Sequence, residues 1–330
     1  MALKFSVVIP TYNQADYLKV ALRSVLDQTY QDYEVIVVNN YSTDHTLDVI
    51  RDAGDPRVQV INFHNQGVIG AGRNVGIKAS RGTYVAFLDS DDTWYPNKLE
   101  RASEVIEADP VAGLICHDQD LVRDGRPAGA AQIGPPVGFK GNMHDYLLLR
   151  GNCVSTSASV VARRHLEEVG LFSEDPAHIT VEDYDLWLKL STVCRFHFIP
   201  EVLGAHNFHP SSASANVDKH LHAALAVLDM HCGRLHASGR SYPSRAIRKR
   251  YANVYYVAAR QVQRNSAAGQ SHSGGAFRKA LKYYLKTLMT YPLHKKAYAG
   301  LALFFADLLL GPTRRKRISY ALWGPSWRWE

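Results

Sequence analysis

Tyr84-Val-Ala-Phe-Leu-Asp-Ser-Asp-Asp92 is an apolar run that ends abruptly in three carboxylates within four positions. Its first five residues, Tyr84 to Leu88, have the length and composition of a strand buried on both faces, as in a parallel sheet flanked by helices. Asp89, Asp91 and Asp92 then follow the carboxyl end of that strand, where open α/β sheets place their ligands. Like charges this close repel, so the cluster is best tolerated around a shared cation, and hard oxygen ligands suit Mg2+ or Mn2+. The same residues also fit a solvated Asp-rich turn ahead of a helix that opens at Pro96.

Working outward, Phe5 to Ile9, Glu34 to Val38 and Val58 to Ile61 are three more short β-branched runs. Between the first two, Leu18, Leu22, Val25 and Leu26 recur at i, i+4, i+7 and i+8, one face of a helix. Ser42 predicts the N-cap of a second helix with Leu47 and Ile50 facing the sheet, and a third helix runs from about Gly72 to Ser80. Strands alternating with helices predict right-handed βαβ units and a parallel sheet. Residues 96–108 read as an amphipathic helix starting at Pro96, and Ala158 to Ala162 as a strand. Asp183, Leu186, Trp187 and Leu190 fall at i, i+3, i+4 and i+7, one helical face with a carboxylate at its head.

The 330 residues are 46% hydrophobic and 21% charged, the composition of a soluble globular protein. Met-Ala-Leu-Lys leads directly into the first strand without the parts of a signal peptide, which predicts a cytoplasmic chain. Cys116, Cys153, Cys194 and Cys232 are widely spaced with no C-x-x-C, so they read as buried thiols rather than a zinc site or a disulfide framework. The net charge of +7 conceals an asymmetry. Residues 241–330 hold 17 Lys and Arg against 2 acids, whereas residues 1–240 hold 21 against 29. Opposite charge predicts two functional units.

A dinucleotide-binding sheet would carry its Gly-rich turn directly after the first strand. That position is Pro10-Thr-Tyr-Asn13, and Gly67-Val-Ile-Gly-Ala-Gly72 does not have the G-x-G-x-x-G spacing. A dehydrogenase is excluded. The same loop lacks the glycines and arginine that a sugar-phosphate nucleotidylyltransferase would need.

Five motifs in order carry a resemblance: Val7-Val-Ile-Pro-Thr-Tyr-Asn13, Val37-Val-Asn-Asn-Tyr-Ser-Thr-Asp44, Gly72-Arg-Asn-Val-Gly76 with Ala79 and Gly82, Asp89-Ser-Asp91, and Glu182-Asp183 followed by Leu186-Trp187. Over about residues 4–215 the chain resembles a family-2 glycosyltransferase of the bacterial cell-surface polysaccharide type. The resemblance implies a GT-A fold: an α/β, Rossmann-like mixed sheet flanked by helices. It divides the chain into a catalytic domain over 1–215, with a nucleotide-sugar half to 110 and an acceptor half from 111, and a basic helical region over 216–330.

It also implies roles. Pro10, Thr11, Tyr12, Asn13, Asn39, Asn40, Arg73, Asp89 and Ser90 would hold the nucleotide-sugar donor, with Arg73 on the base or phosphates and Asp89 on the ribose side. The alternative for Tyr12 is strand-end packing, and for Arg73 a nearby carboxylate partner. Asp91 would ligate Mn2+ or Mg2+ bridging the two phosphates, joined by His209 from His206-Asn-Phe-His209-Pro-Ser211-Ser212. Relatives often carry an Arg near Ala205, and its absence here puts diphosphate neutralisation from this segment in doubt. Asp183 would be the general base of an inverting transfer to a hydroxyl on a glycan or lipid-diphosphate acceptor. Against that stands the helix dipole, which would lower its pKa. Glu182 and Trp187 would lie on the acceptor side, under a mobile loop over Asp124 to Gly141.

Asn39 and Asn40 replace the usual acids, and the carbonyl of Asn40 is expected to accept the N–H of uracil or thymine, favouring a UDP- or dTDP-linked donor. The rival from another class is a non-catalytic nucleotide-sugar or glycan binding module. After residue 215, helices are expected over 218–236, 245–264, 276–290 and 294–310. Arg314-Arg-Lys-Arg317, then Trp323, Trp327 and Trp329, suit peripheral contact with an anionic membrane on its inner face. A helical cap or a tetratricopeptide-like pair is the alternative, and nucleic acid is disfavoured because no recognised module accompanies the charge.

Overall fold

The computed structural model describes residues 3–123, 125–209, 216–267 and 274–305. The chain divides into two compact units, residues 1–147 with 152–212, and residues 148–151 with 213–330.

The first unit opens with β1 (Phe5–Thr11), α1 (Ala15–Leu26), β2 (Tyr33–Asn39), α2 (Thr46–Asp52), β3 (Val58–Asn62), α3 (Ile69–Ala79) and β4 (Tyr84–Phe87). These are the expected βαβ units. β1 pairs in parallel with both β2 and β4, and β2 with β3. β1, β2 and β4 form because their side chains are largely apolar on both faces, and Val7, Val8, Val35, Ile36, Val85 and Ala86 are all fully buried, whereas the edge strand β3 is half-exposed. Each such valine or isoleucine contributes roughly 1.5–3 kcal/mol. α1 closes one face with Ala15, Leu18, Ala21, Leu22 and Val25. α3 approaches β1 so closely that a Cβ on Gly76 would sit 2.4 Å from a Val8 methyl, which explains the small residues of Gly72-Arg-Asn-Val-Gly76.

The unit continues through β5 (Thr93–Trp94), α4 (Lys98–Ala108), β6 (Ala112–Arg123), β7 (Arg126–Ala131), α5 (Met143–Arg150), β8 (Val160–Ala162), α6 (Arg163–Glu168), α7 (Glu182–Leu190) and β9 (Arg195–Phe208); α5 runs on into the segment 148–151 of the second unit. Among the described residues nine strands make one mixed sheet in the order β3-β2-β1-β4-β8-β6-β9-β5, with β7 paired to β6. β8 is antiparallel to both β4 and β6, so the sheet changes direction just beside the strand that carries the aspartates.

Three local expectations are corrected. Ser42 does not cap α2: the helix starts at Thr46, because Asp44 accepts bonds from the backbone of Ala15 and Thr46 and holds the intervening turn. Leu47 is exposed, and Val49 and Ile50 are the residues buried. The segment to Gly141 is not all irregular. β7 folds back on β6 through Gly125, at φ 72°. Its side chains are nearly all exposed, so no hydrophobic pattern marks it; Asp124 lies outside the described residues. Of the cysteines Cys116 is buried and the other three are half-buried, all free.

The second unit holds α8 (Val217–Ala237), α9 (Ser244–Ala267), α10 (Gly274–Thr290) and a helix over 295–305. Asn216 caps α8 by accepting from the Lys219 backbone at 3.1 Å. Tyr284 of α10 is fully buried and donates to Gln263 of α9 at 2.8 Å. No helix among the described residues is long and apolar enough to cross a membrane. Ser211 and Ser212, the apolar run beyond residue 305, Arg314 to Arg317 and the three tryptophans that follow lie outside the described residues.

Candidate active site

The carboxyl end of β4 delivers Asp89, Ser90, Asp91 and Asp92 into a turn, and each meets a different environment. Asp92 is almost wholly buried. It accepts from the Ser157 hydroxyl at 2.6 Å and the Asn207 backbone at 2.8 Å, with His206 Nδ1 at 3.0 Å. Although burial disfavours the charged imidazole, the carboxylates led by Asp92 push His206 up to about 9. Ser90 is also buried and donates to Gln14, not to an open ligand site. Asp91 keeps a partly open carboxylate with Oδ2 at 2.7 Å from His209 Nε2, and the His209 ring stacks on the half-exposed Tyr17. Burial, then the charges of Asp92 and Asp89, raise Asp91 to about 6.

Arg73 is buried and bridges two carboxylates, Asp89 at 2.6 Å and Glu182 at 2.7 Å, with its guanidinium over the Phe172 ring. These charges hold its pKa above the ordinary arginine value in spite of burial. In this geometry the guanidinium is taken up by the two carboxylates. Arg73 braces the end of β4 against the start of α7, the carboxylate-partner alternative. Glu182 is committed in the same way, its second oxygen accepting the Thr180 backbone at 2.8 Å. It is a structural member of the site.

Asp183, next on α7, is half-buried. One oxygen accepts from its neighbour's backbone at Tyr184 at 2.7 Å and the other from the Asn152 amide at 3.0 Å. Burial and the adjacent Glu182 charge raise Asp183 to about 7, against the pull of Arg73 and the Tyr184 N–H. Lowering by the helix dipole does not prevail. A carboxyl that releases its proton near neutrality is well matched to taking one from a hydroxyl. The apolar face behind it points inward: Leu186, Trp187 and Leu190 are fully buried, and Trp187 packs edge-on to Phe172. Trp187 is thus a core residue and not an acceptor contact, because helical spacing reports a shared face but not which side of the helix meets solvent.

At the ends of β1 and β2, Thr11 is buried and its hydroxyl has no partner among the described residues, Pro10 is half-buried, and Tyr12 is exposed. Asn13 adopts φ 49° and accepts from the Thr43 backbone at 2.8 Å. Asn39 is buried and fully used, donating to Asn62 at 2.8 Å and accepting from the Ser42 backbone at 3.0 Å. The Asn40 carbonyl already accepts from the Asn65 backbone at 2.9 Å. Both asparagines hold the loops. Asn152, Ser157, Asn207 and Tyr17 are the residues that sequence reasoning missed. A hydroxyl- and amide-rich stretch at 152–157 was the only signal.

Among the described residues no three His, Cys, Asp or Glu side chains converge as a complete metal site. The Asp91 carboxylate and the His209 imidazole still form a matched pair of donors for a divalent cation, with a raised carboxylate pKa expected where a positive charge is wanting. Further ligands would come from a bound anion.

Residues 6–163 match the profile of Glycosyl transferase family 2. An Escherichia coli UDP-Glc:alpha-D-GlcNAc-diphosphoundecaprenol beta-1,3-glucosyltransferase, WfaP, is 31% identical over 218 residues, 66% of this chain and 82% of the relative. The chain belongs to glycosyl transferase family 2. An uncharacterised glycosyltransferase of Rickettsia felis is 33% identical over 223 residues, but these are 65% of this chain and 36% of the relative, so the chain spans about a third of that protein. Among solved structures of similar fold is a mannosyltransferase from Pyrobaculum calidifontis, in complex with GDP-Man and Mn2+. The TM-score is 0.55 at 19% identity, over 94% of this chain and 88% of the other. The mixed sheet with flanking helices is the GT-A fold.

Proposed function

We propose that the chain transfers a sugar from a nucleotide-diphosphate donor to a hydroxyl of a glycan or lipid-diphosphate acceptor, with inversion at the anomeric carbon. The observation that carries the reading is Asp183: a carboxyl held in place by Asn152 and Tyr184, tuned to about 7, beside the strand end that bears Asp89 and Asp91. Asp183 accepts the proton of the attacking hydroxyl. Arg73 and Glu182 fix the start of α7 against Asp89, so the base keeps its place relative to the donor side. Asp91 and His209 would hold Mn2+ or Mg2+, which when bound would offset the charge of the departing diphosphate. The mannosyltransferase with Mn2+ bound supports that assignment by fold alone.

The donor we favour is UDP- or dTDP-linked. The name of the Escherichia coli relative specifies UDP-Glc and a diphosphoundecaprenol acceptor, while the mannosyltransferase holds GDP-Man. The exposed Tyr12 offers a ring for the base, and the buried Thr11 hydroxyl, which has no partner among the described residues, a polar contact beside it in sequence. Calorimetric titration of UDP, dTDP and GDP with Mn2+ tests this. Tightest binding is expected for UDP or dTDP; a clear preference for GDP overturns the pyrimidine assignment, and no binding of any nucleotide overturns the transferase reading.

A further inference from the structure

Residues 241–305 contain 12 Lys and Arg and not one Asp or Glu. In α10 the cations are not spread evenly. Ala280, Tyr283, Tyr284 and Thr287 are buried on one side of the helix, and the opposite side exposes Arg278, Lys282, Leu285, Lys286 and Met289. These fall at i, i+4, i+7, i+8 and i+11, a single stripe along the helix. Leu285 is 49% exposed and Met289 82%. The turn after α10 prolongs the stripe with Leu293, 65% exposed, and Lys295, also exposed.

Large apolar side chains held in water among cations need an explanation, since neither the packing of α9 on α10 nor the salt bridges of the unit use them. We propose that the outer face of α10 and the turn to Lys295 dock on an anionic phospholipid surface. Arg278, Lys282, Lys286 and Lys295 face the head groups, and Leu285, Met289 and Leu293 enter the boundary between head groups and acyl chains. Nucleic acid would match the charge but not the leucines and methionine, for a phosphate backbone offers them nothing to bury against. The absence of any acid over 241–305 means that no carboxylate in that segment opposes the bilayer charge.

The surface is tested apart from the catalytic site. The full chain is sedimented with vesicles of phosphatidylcholine alone and of phosphatidylcholine mixed with phosphatidylglycerol, at low and high salt. Binding is expected only to the mixed vesicles, weakening as salt rises. Lys282→Glu with Lys286→Glu should lower the partition by about tenfold or more, judged from the usual contribution of a basic residue near such a surface. Leu285→Ser with Met289→Ser should lower it at unchanged net charge, which ion pairing alone does not predict. Lys219→Glu, an equally exposed lysine on α8, should change it little. All these positions are exposed, so an unaltered melting curve checks that each variant folds. Equal loss with Lys219→Glu, indifference to the apolar pair, equal binding to uncharged vesicles, or tighter binding to an RNA or DNA duplex than to the mixed vesicles would each overturn the assignment.

Discussion

The strand ends of the first unit and the outer face of α10 both gather charge of one sign, yet they treat it in opposite ways. At the strand ends Asp89 and Glu182 pair with the buried Arg73, Asp183 follows Glu182 on α7, and burial moves Asp183 to about 7. On the outer face of α10, Lys282 and Lys286 are exposed one turn apart. Lysine itself shows the contrast. Lys98 of α4 is buried with its amine nitrogen 3.5 Å from the centre of the Trp94 ring and no hydrogen-bond partner among the described residues, and burial pushes its pKa well below the ordinary value. Lys282 is exposed. A charge does chemistry where the fold removes its water, and adheres where the fold leaves it hydrated.

The sharpest way to break the contrast is Arg73→Met, which strands the buried Glu182 carboxylate and leaves the partly open Asp89 without its partner. It should destabilise the chain by about 3–5 kcal/mol, read from denaturant unfolding. A loss similar to that of a surface arginine would show that the brace carries little. Lys286→Met on α10 should cost almost nothing in the same experiment.

Next in size, Asp183→Asn should reduce transfer on the order of 10²-fold while nucleotide binding stays nearly constant. Because the folded pKa lies above the unfolded one, the native state keeps this proton longer than the unfolded chain. Asp183 therefore takes stability away as pH rises from about 4 to about 7. Asp183→Asn should thus melt higher than the wild type at neutral pH and lose that advantage in acid. Normal turnover would place the base elsewhere.

The rate should climb with pH through the Asp183 titration near 7. Glu182→Gln removes the neighbouring charge that holds Asp183 up, and the acidic limb should move to lower pH. A limb that stays in place, measured as kcat against pH, would separate Asp183 from the rate.

Smaller still, Lys98→Met should stabilise the chain by about 1–3 kcal/mol at neutral pH, since a polar amine leaves an apolar site. The unfolded chain binds a proton there that the folded chain does not, so the gain should shrink as pH approaches about 10.4. Destabilisation by Lys98→Met would mean that the amine has a role which packing does not supply.

The periodicity of the sequence by itself determined the βαβ units from Phe5 to Leu88 and the placement of Asp89, Asp91 and Asp92 after a buried strand, and the order of the motifs carried the family resemblance. Hydrophobic spacing reports the local element, and these elements are strongly spaced. It did not decide the faces. Leu186, Trp187 and Leu190 share a stripe whether that stripe meets substrate or core, and only the packing of Phe172 against Trp187 shows that it is core. β7 was invisible because an exposed edge strand buries no pattern. The roles of Arg73, Asn39 and Asn40 depended on partners distant in sequence: Glu182 lies 109 residues from Arg73. Tertiary structure alone brings such charges within 3 Å of each other, and with them the burial that sets the pKa of Asp183.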